Sequence, residues 1–528
     1  MRLLQRIARD TMAQRRGPDA LAPAAPQRRQ FLRQASALGA SGLLPTWTAP
    51  APAAERARVV IVGAGLAGLT AAHVLAQAGL RASLLEGSPR VGGRCWTERS
   101  AFADGQIAER GGELIDTSHA QIRALAQSFG LPLDDLLVAQ PKGSEPVAWF
   151  DGAAYASADI NRDFAQVLPG LTQDMKALGD ELPTWRKHTA AQRRLDRMSA
   201  ADWIALRVPG GARSRFGQLL VNAYGEELGG DPDEISAVTV VSLLAGSPRD
   251  RFSPYEESDQ RYHIRGGNDQ LVARLAEPVG AQIETHSRLV ALARRPDGRY
   301  RLVVLRDGAE REELADRVIL ALPFSLLRGV DIRHAGFGAR KLRSIVELGM
   351  GRNTKLQLQF SDRFWSRADC DGEYRLRGAF NTTWDVTRAQ PGNAGVLNFF
   401  SGGSAAVAAG AAAMDDRARD ALRELARAAP GCDALWNGRV IRNAWDRNPW
   451  SLGSYALIKT GQYTSFYGVE GEPSGHVHFA GEHTSIESQG YLNGAVESGQ
   501  RAAGEVLASL GARRVKAAWS GHRHTAWA

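Results

Sequence analysis

The chain has 528 residues, 44% of them hydrophobic, and a formal net charge of +8. This length suffices for two or three domains with substantial cores. Residues 1–56 carry a charge of +6 and residues 508–528 carry +4, which leaves −2 for residues 57–507. This distribution argues against a nucleic-acid-binding surface. Three widely spaced cysteines argue against a disulfide framework, and no C-x-x-C or H-E-x-x-H spacing indicates a metal site.

The N-terminal segment resembles an export leader. Residues 28–33 (RRQFLR) are similar to the twin-arginine motif, a weakly apolar stretch follows from Ala35 to Leu44, and residues 49–53 (APAPA) suit cleavage. The apolar stretch is too short for a permanent anchor. We therefore expect residues 1–54 to be recognised by the twin-arginine export machinery, and the mature protein to be periplasmic or secreted without stable membrane insertion. A disordered Ala/Pro/Arg tail is the alternative.

A dinucleotide-binding pattern follows the leader. Residues 58–62 (RVVIV) predict a short strand, and Gly63, Gly65 and Gly68 then stand at G-x-G-x-x-G spacing before a helical pattern. The first glycine allows a tight turn, the second lets the backbone approach a pyrophosphate, and the third allows close helix–strand packing. The helix N-terminus would face the phosphates.

The next residues select the dinucleotide. Glu86 closes a second apolar run, where it can accept hydrogen bonds from a ribose 2′-hydroxyl. Residues 88–94 (SPRVGGR) resemble the R-x-G-G-R signature of the flavin amine oxidase superfamily. Gly92 and Gly93 let the loop pass close to the cofactor, and Arg94 can bond phosphate oxygens bidentately. NAD dehydrogenases lack this extension, so the resemblance implies FAD.

Further along the chain two patterns alternate. Residues 121–129 predict an amphipathic helix, and residues 136–255 predict longer helices of an inserted domain. Residues 281–305 predict a hairpin, and residues 317–323 a buried strand of the parallel type. We therefore predict an α/β fold in which a Rossmann-like FAD-binding domain (55–135, 256–330 and 441–510) is interleaved with an α+β substrate domain (136–255 and 331–440), between the leader and a basic tail (511–528).

Residues 350–365 (MGRNTKLQLQFSDRFW) resemble the lysine-bearing strand of the same superfamily. The resemblance implies that Lys355 holds a water against flavin N5 and assists proton movement. The alternative is that Lys355 is an ordinary strand residue exposed to solvent.

Near the C-terminus, residues 477–484 (VHFAGEHT) and 489–503 (QGYLNGAVESGQRAA) also resemble this superfamily, and the likeness covers about residues 57–508. It implies that a helix starting near Gly490 faces the pyrimidine end of the flavin, where it can stabilise the charge of the reduced ring. It also implies that Glu482 contacts the ribityl or phosphate region.

Two tyrosines match the aromatic cage of monoamine oxidases. Tyr455 and Tyr491 would position and desolvate an amine between their ring planes. Ser454 stands where mammalian monoamine oxidases carry the cysteine that bonds the flavin. Since serine cannot form a thioether, we expect noncovalent FAD.

Residues 111–116 (GGELID) bear on the substrate. L-amino-acid oxidases carry a carboxylate-pairing arginine in the corresponding loop, and this segment has none. Glu113 and Asp116 would repel a carboxylate but suit a second ammonium, and Asp116 falls near an acidic position of polyamine oxidases. Capping of the following helix by Asp116 is the alternative.

The expected activity is FAD-dependent oxidative deamination of a primary or secondary amine, by hydride transfer to flavin N5, imine hydrolysis to an aldehyde or ketone, and reoxidation by O2 to H2O2. The alternatives are an L-amino-acid oxidase, an amine dehydrogenase using a periplasmic electron acceptor, and a non-catalytic flavoprotein that serves as a binding partner. The implied catalytic residues are Lys355, Tyr455 and Tyr491; Asp116, Tyr455 and Tyr491 bind substrate. The implied cofactor-binding residues are Gly63, Gly65, Leu66, Ala67, Gly68, Glu86, Gly92, Gly93, Arg94, Gly111, Gly112, Glu113, Leu289, Gly481, Glu482, Gly490, Tyr491 and Leu492.

Overall fold

The computed structural model describes residues 57–255 and 258–511, so the predicted leader and nearly all of the predicted basic tail lie outside the described residues. Within these two ranges, no helix combines the length and the hydrophobicity that a membrane span requires.

A five-stranded parallel sheet is assembled from three distant stretches of the chain. Its strands, in spatial order, are Val477–Phe479, Arg317–Leu320, Val59–Val62, Ala82–Leu85 and Ile283–Glu284. The strand Val59–Val62 is buried on both faces, as its continuous β-branched run predicts. Val59 and Ile61 pack against one core, whereas Val60 and Val62 pack against another, because successive side chains of a strand point to opposite faces.

Different layers cover the two faces of this sheet. On the Val59/Ile61 side lie the helices Leu66–Gln77, Ala120–Ser128, Asp269–Ala276 and Leu492–Ser509. On the other side lies an antiparallel sheet of Ser287–Arg294, Tyr300–Arg306 and Ala309–Ala315. The predicted hairpin is therefore extended by a third strand. Together these elements form the Rossmann-like fold that was predicted for this domain.

A seven-stranded mixed sheet belongs to the second domain. Its order is Trp436–Ala444, Asn353–Phe360, Gly395–Gly402, Thr382–Asp385, Cys370–Leu376, Glu145–Phe150 and Ala153–Ala154. Every residue of Asn353–Phe360 is buried, including its lysine and two glutamines. The predicted domain boundary between residues 440 and 441 is wrong, because the strand Trp436–Ala444 crosses it and pairs with Asn353–Phe360.

The remaining elements surround these sheets. The longer helices are Ser157–Leu178, Ala190–Asp196, Ala200–Arg207, Arg215–Leu228, Ala237–Leu244, Ala339–Glu347, Gly403–Ala411 and Met414–Leu425; four-residue helices are Leu136–Ala139, Phe324–Leu327, Phe364–Arg367 and Gln462–Ser465. Three two-stranded sheets pair Thr97–Glu98 with Ala108–Glu109, Leu133–Asp135 with Tyr262–Ile264, and Gly349–Met350 with Ala456–Leu457.

The helix Arg215–Leu228 lies against the seven-stranded sheet, where Asn222 Nδ2 donates to the carbonyl of Asn381 at 2.6 Å. It ends at Gly229, whose φ of +65° is the left-handed conformation that glycine adopts readily. A Cβ at Gly229 would lie 2.3 Å from Asn353 Oδ1. This close approach fixes the C-terminal end of the helix against the sheet.

Candidate active site

A cavity of about 790 Å³ opens at the carboxyl ends of the parallel strands, which is the usual ligand position in open α/β sheets. Most of the predicted cofactor residues line it: Gly63, Gly65, Leu66, Ala67, Glu86, Gly92, Gly93, Arg94, Gly112, Leu289, Gly481, Glu482, Gly490, Tyr491 and Leu492. Tyr455 lines it too. The cavity thus joins residues from all three stretches of the FAD-binding domain.

The glycine turn has the predicted geometry. Gly63 has a φ of +103°, and a Cβ there would lie 2.7 Å from the carbonyl oxygen of Ala321. A Cβ at Gly68 would lie 1.9 Å from the carbonyl oxygen of Gly63. Gly68 therefore serves the close helix–strand packing predicted for it, and a cofactor contact by Gly68 remains a prediction. Gly65 faces the cavity at the start of the helix Leu66–Gln77.

Glu86 stabilises this turn as well as lining the cavity. Its Oε2 accepts a hydrogen bond from the backbone N–H of Ala64, and its Oε1 accepts one from Ser88, both at 2.8 Å. Each carboxylate oxygen can accept a further bond. A ribose contact by Glu86 remains a prediction.

Arg94 and Glu482 join segments that are distant in sequence. Arg94 Nη1 donates to Glu482 Oε1 at 2.8 Å and to the carbonyl of Ser454 at 2.6 Å. Glu482 Oε2 accepts from the backbone N–H of Gly490 at 2.8 Å. Both side chains therefore hold the cavity wall together, a role that their motifs did not indicate. Their direct contacts with the cofactor remain predictions.

The two predicted cage tyrosines lie at the same cavity and are anchored to the same helix. The hydroxyl of Tyr455 donates to the backbone carbonyl of Glu226 at 3.1 Å, and the hydroxyl of Tyr491 donates to the carboxylate of Glu227 at 3.4 Å. The ring of Tyr491 also packs against His119, with centroids 4.8 Å apart.

Sequence reasoning missed Glu227. Burial, followed by the charge of Asp116, raises the pKa of Glu227 to about 7. Burial, followed by the charge of Glu227, holds the pKa of Tyr455 well above its usual value, so its hydroxyl remains a donor. Two adjacent acids in the last turn of a helix could have pointed to Glu227. The helix dipole disfavours negative charge there, so Glu226 and Glu227 are unexpected at this position unless they have a function.

Asp116 is buried beside this group. Its Oδ1 accepts hydrogen bonds from Ser258 Oγ and from the backbone N–H of Gln260, both at 3.0 Å. Its Oδ2 lies 3.4 Å from His119 Nε2. The alternative that it caps the following helix is wrong, since that helix starts after His119 without a side-chain cap. Asp116 holds the segment around residues 258–260, and substrate binding by it remains a prediction.

Lys355 is buried, which excludes the solvent-exposed alternative. Its ammonium donates to Glu113 Oε2 at 2.7 Å and to the carbonyls of Gly111 and Glu109 at 2.9 and 3.2 Å. Trp384 Nε1 donates to the other carboxylate oxygen of Glu113 at 2.9 Å. Glu113 is therefore the counter-ion of Lys355, and Gly111 accepts a hydrogen bond from the same ammonium. Cofactor contacts of Gly111 and Glu113 remain predictions.

Comparisons with known proteins agree with this architecture. The family model for flavin-containing amine oxidoreductases matches residues 66–507. The chain is 25% identical to a Bacillus subtilis (strain 168) protein named "Putative L-amino-acid oxidase YobN", over 85% of this chain and 94% of the relative. It is 26% identical to a flavin-containing amine oxidase of Danio rerio, over 87% and 88% of the two chains. Cyclohexylamine oxidase from Brevibacterium oxydans IH-35A has the same fold, with a TM-score of 0.73 at 22% identity, covering 86% of this chain and 99% of that structure.

The cavity fits FAD by its own chemistry. The helix N-terminus at Gly65 suits a pyrophosphate. Gly65 and Gly93 both line the cavity without a side chain, so a ligand can approach the backbone of both loops closely. Glu86 lines the cavity, as do Gly490, Tyr491 and Leu492 at the start of the helix Leu492–Ser509. The chain belongs to the flavin-containing amine oxidoreductase family and is an FAD-dependent oxidoreductase that acts on small-molecule amines.

Proposed function

We propose that the protein catalyses oxidative deamination of a primary or secondary amine. Bound FAD supplies a two-electron acceptor for the α-hydrogen of the amine, and O2 regenerates it with formation of H2O2. The imine product is hydrolysed to an aldehyde or ketone. One observation carries the proposal. Tyr455 and Tyr491 both lie at the cavity, and their hydroxyls are hydrogen-bonded to two consecutive residues of one helix.

These contacts define what the two tyrosines do. Their hydroxyls are hydrogen-bonded, so the rings are held in orientation before an amine enters. Aromatic faces attract a cationic amine and exclude water from a neutral one. This orientation supports their role in positioning the substrate, whereas the chemistry of electron transfer belongs to the cofactor.

The acidic groups favour an amine with a second positive charge. Glu227 accepts a hydrogen bond from Tyr491, and Asp116 acts electrostatically on Glu227. A distal ammonium would pair with Glu227, whereas a substrate carboxylate would be repelled. The partly buried Arg375 does not favour an amino acid, since its guanidinium is paired with Glu373. Diamines or polyamines are therefore the proposed substrate class.

We further propose that the enzyme binds FAD without a covalent bond and works after export. Ser454 lines the cavity, and its hydroxyl donates to Asn353 Oδ1 at 2.5 Å. The twin-arginine motif supports export by the twin-arginine machinery to the periplasm or beyond, a route that accepts proteins already folded around their cofactor.

An amine panel with peroxide detection tests the activity. Diamines, monoamines of matched length and L-amino acids are supplied to the FAD-bound enzyme, and peroxide and flavin absorbance are followed. We expect bleaching of the flavin and peroxide release, fastest with diamines. Bleaching of the flavin without peroxide would indicate that an electron acceptor other than O2 reoxidises the flavin, as in a dehydrogenase. A preference for L-amino acids would reject the proposed substrate class.

A further inference from the structure

A second pocket, of about 340 Å³, lies at the protein surface around the helix Ala190–Asp196. Its lining residues are His188, Thr189, Ala190, Arg193, Arg194 and Arg197, and it is called the basic pocket below. No acidic residue lines it in the part of the chain that the structure describes. Among the described residues, none lines both this pocket and the cofactor cavity. A ligand of the basic pocket would therefore bind apart from the flavin.

The three arginines of the basic pocket are exposed and have no ion-pair partner among residues 57–255 and 258–511. The acid nearest to them in the sequence, Asp196, is buried and bonded elsewhere. Its Oδ1 accepts a hydrogen bond from Ser236 Oγ at 3.0 Å, and its Oδ2 accepts from the backbone N–H and the hydroxyl of Thr464 at 2.9 and 2.8 Å. The arginines therefore keep their positive charges uncompensated.

The helix Met414–Leu425 shows how exposed arginines are compensated elsewhere in the chain. Three arginines there each pair with the acid three residues earlier, as Arg419–Asp416, Arg423–Asp420 and Arg427–Glu424. In the basic pocket, Arg197 instead follows two other arginines at spacings of three and four residues. Like charges at these spacings destabilise a helix. A bound anion would remove this repulsion.

His188 holds one guanidinium group of the basic pocket in position. Its Nδ1 lies 2.8 Å from the carbonyl oxygen of Thr184, and its Nε2 lies 2.5 Å from Arg193 Nη2. A carbonyl oxygen only accepts and a guanidinium only donates, so Nδ1 carries the proton and Nε2 is the acceptor. This contact uses one N–H of Arg193. The remaining N–H groups of Arg193 are free to bond a ligand in a fixed orientation.

We propose that the basic pocket binds a phosphate group, supplied by a soluble phosphate compound or by the headgroup of an anionic lipid. The planar guanidinium donates two parallel N–H groups to the oxygens of a carboxylate or a phosphate. A phosphate group has enough oxygens for more than one guanidinium, whereas a single carboxylate would occupy one and leave two cations unpaired. The proposal does not rest on amine oxidation, since it is inferred from the basic pocket alone.

Titration calorimetry and vesicle cosedimentation of the FAD-bound enzyme test the two sources. Inorganic pyrophosphate is the soluble probe, and bound FAD keeps it out of the cofactor cavity. Vesicles of phosphatidylglycerol and phosphatidylcholine are compared with vesicles of phosphatidylcholine alone. Saturable binding of pyrophosphate supports a soluble ligand, and binding of the anionic vesicles alone supports a lipid headgroup. Binding of neither probe overturns the proposal.

The triple variant Arg193→Gln/Arg194→Gln/Arg197→Gln should lose the binding that the wild type shows. The matched control is Arg419→Gln/Arg423→Gln/Arg427→Gln, which removes the same charge from arginines that already have carboxylate partners. This control should bind like the wild type. Equal weakening in both triple variants would show attraction by net charge only and would overturn the proposal.

The single variant Arg193→Lys separates the shape of the guanidinium from its charge. Lysine keeps the positive charge but cannot donate two parallel N–H groups, so the affinity should fall by about tenfold, as for loss of a hydrogen bond to a charged group. An affinity equal to that of the wild type would contradict the role of Arg193. Flavin retention and the rate of amine oxidation should be unchanged in all three variants, because none of the substituted residues lines the cofactor cavity. A wild type that binds the probe but oxidises no amine would reject the proposed function and leave the phosphate site standing.

Discussion

Tyr491 donates a hydrogen bond to the carboxylate of Glu227 at 3.4 Å, so a residue of the cofactor cavity is bound to an acid from the helix of the other domain. The preceding residue of that helix, Glu226, accepts from Tyr455 through its backbone carbonyl. The end of one helix therefore orients both tyrosines, and Glu227 does so through its carboxylate.

Replacing Glu227 by Gln should reduce the preference for diamines. The amide keeps a hydrogen-bond acceptor for Tyr491 but has no charge for a distal ammonium. A hydrogen bond to a charged group contributes about 1.5–3 kcal/mol, so the ratio of kcat/KM for a diamine to that for a monoamine of equal length should fall about 10- to 100-fold. Glu227→Asp keeps the carboxylate charge, so this variant should retain most of the wild-type ratio. An unchanged ratio in Glu227→Gln would place the second ammonium elsewhere.

The same ratio should depend on pH in the wild type. The pKa of Glu227 is raised to about 7 by burial and by Asp116, so the carboxylate charge is gained as pH rises through 7 and lost below it. The diamine preference should therefore increase from pH 6 to pH 8. Protonation of the reacting amine affects both substrates and largely cancels in the ratio. Glu227→Gln should show a flat profile, and a flat profile in the wild type would contradict the assignment.

Substituting Gly68 by Ala should destabilise the protein and weaken FAD binding. The new Cβ would lie 1.9 Å from the Gly63 carbonyl oxygen, which forces the helix Leu66–Gln77 away from the turn. Overpacking of this kind costs about 1–3 kcal/mol. Gly504→Ala is the matched control, because a Cβ there meets no atom within 4 Å and lies inside a helix. It should be neutral or stabilising by about 0.5–1 kcal/mol. Thermal unfolding and flavin retention on gel filtration report both outcomes.

The fold was predictable where its signals are local. The strand at residues 59–62, the turn at Gly63 and the packing glycine Gly68 follow from residue type and short spacing. The contacts at the site were not predictable in this way, because they join distant segments. Arg94 and Glu482 are 388 residues apart, and Lys355 meets Glu113 across 242 residues. Their motifs identified the residues but not their partners. The sequence alone therefore left open a solvent-exposed Lys355, whereas in the structure Lys355 forms a buried ion pair with Glu113.

Denaturation should release all of the flavin as FAD. The hydroxyl of Ser454 is hydrogen-bonded to Asn353 at the cavity wall and cannot form a thioether. After acid precipitation, the absorbance should appear in the supernatant and the washed protein should be colourless. Ser454→Cys is the comparison that tests whether a thiol at this position suffices for attachment. Yellow colour on washed wild-type protein would refute noncovalent binding.

Export should require the arginine pair at residues 28 and 29. The double variant Arg28→Lys/Arg29→Lys keeps the charge but removes the recognised pair, and it should leave the precursor in the cytoplasm. Arg15→Lys/Arg16→Lys is the matched control, because it alters the other adjacent arginine pair of the same segment. Cell fractionation with activity staining measures both. Normal periplasmic activity of the first variant would reject the twin-arginine assignment.

Replacing Lys355 by Met should slow catalysis while FAD remains bound, because the side chains that line the cavity are unaffected. If the ammonium assists proton movement, flavin reduction by amine or reoxidation by O2 should slow by about 10²-fold or more in stopped-flow experiments.

The single variant also leaves Glu113 buried without its cation, and breaking a buried ion pair in this way costs about 3–5 kcal/mol. A slow Lys355→Met enzyme is therefore ambiguous by itself. The double variant Lys355→Met/Glu113→Gln removes both charges and keeps an acceptor for Trp384 Nε1, so it should recover most of the lost stability. A rate that stays about 10²-fold low in the double variant identifies the ammonium as the active group. Recovery of both half-reactions to within about twofold of the wild type would mean that Lys355 serves only as the counter-ion of Glu113, and Tyr455 and Tyr491 would remain as the residues that act on the substrate.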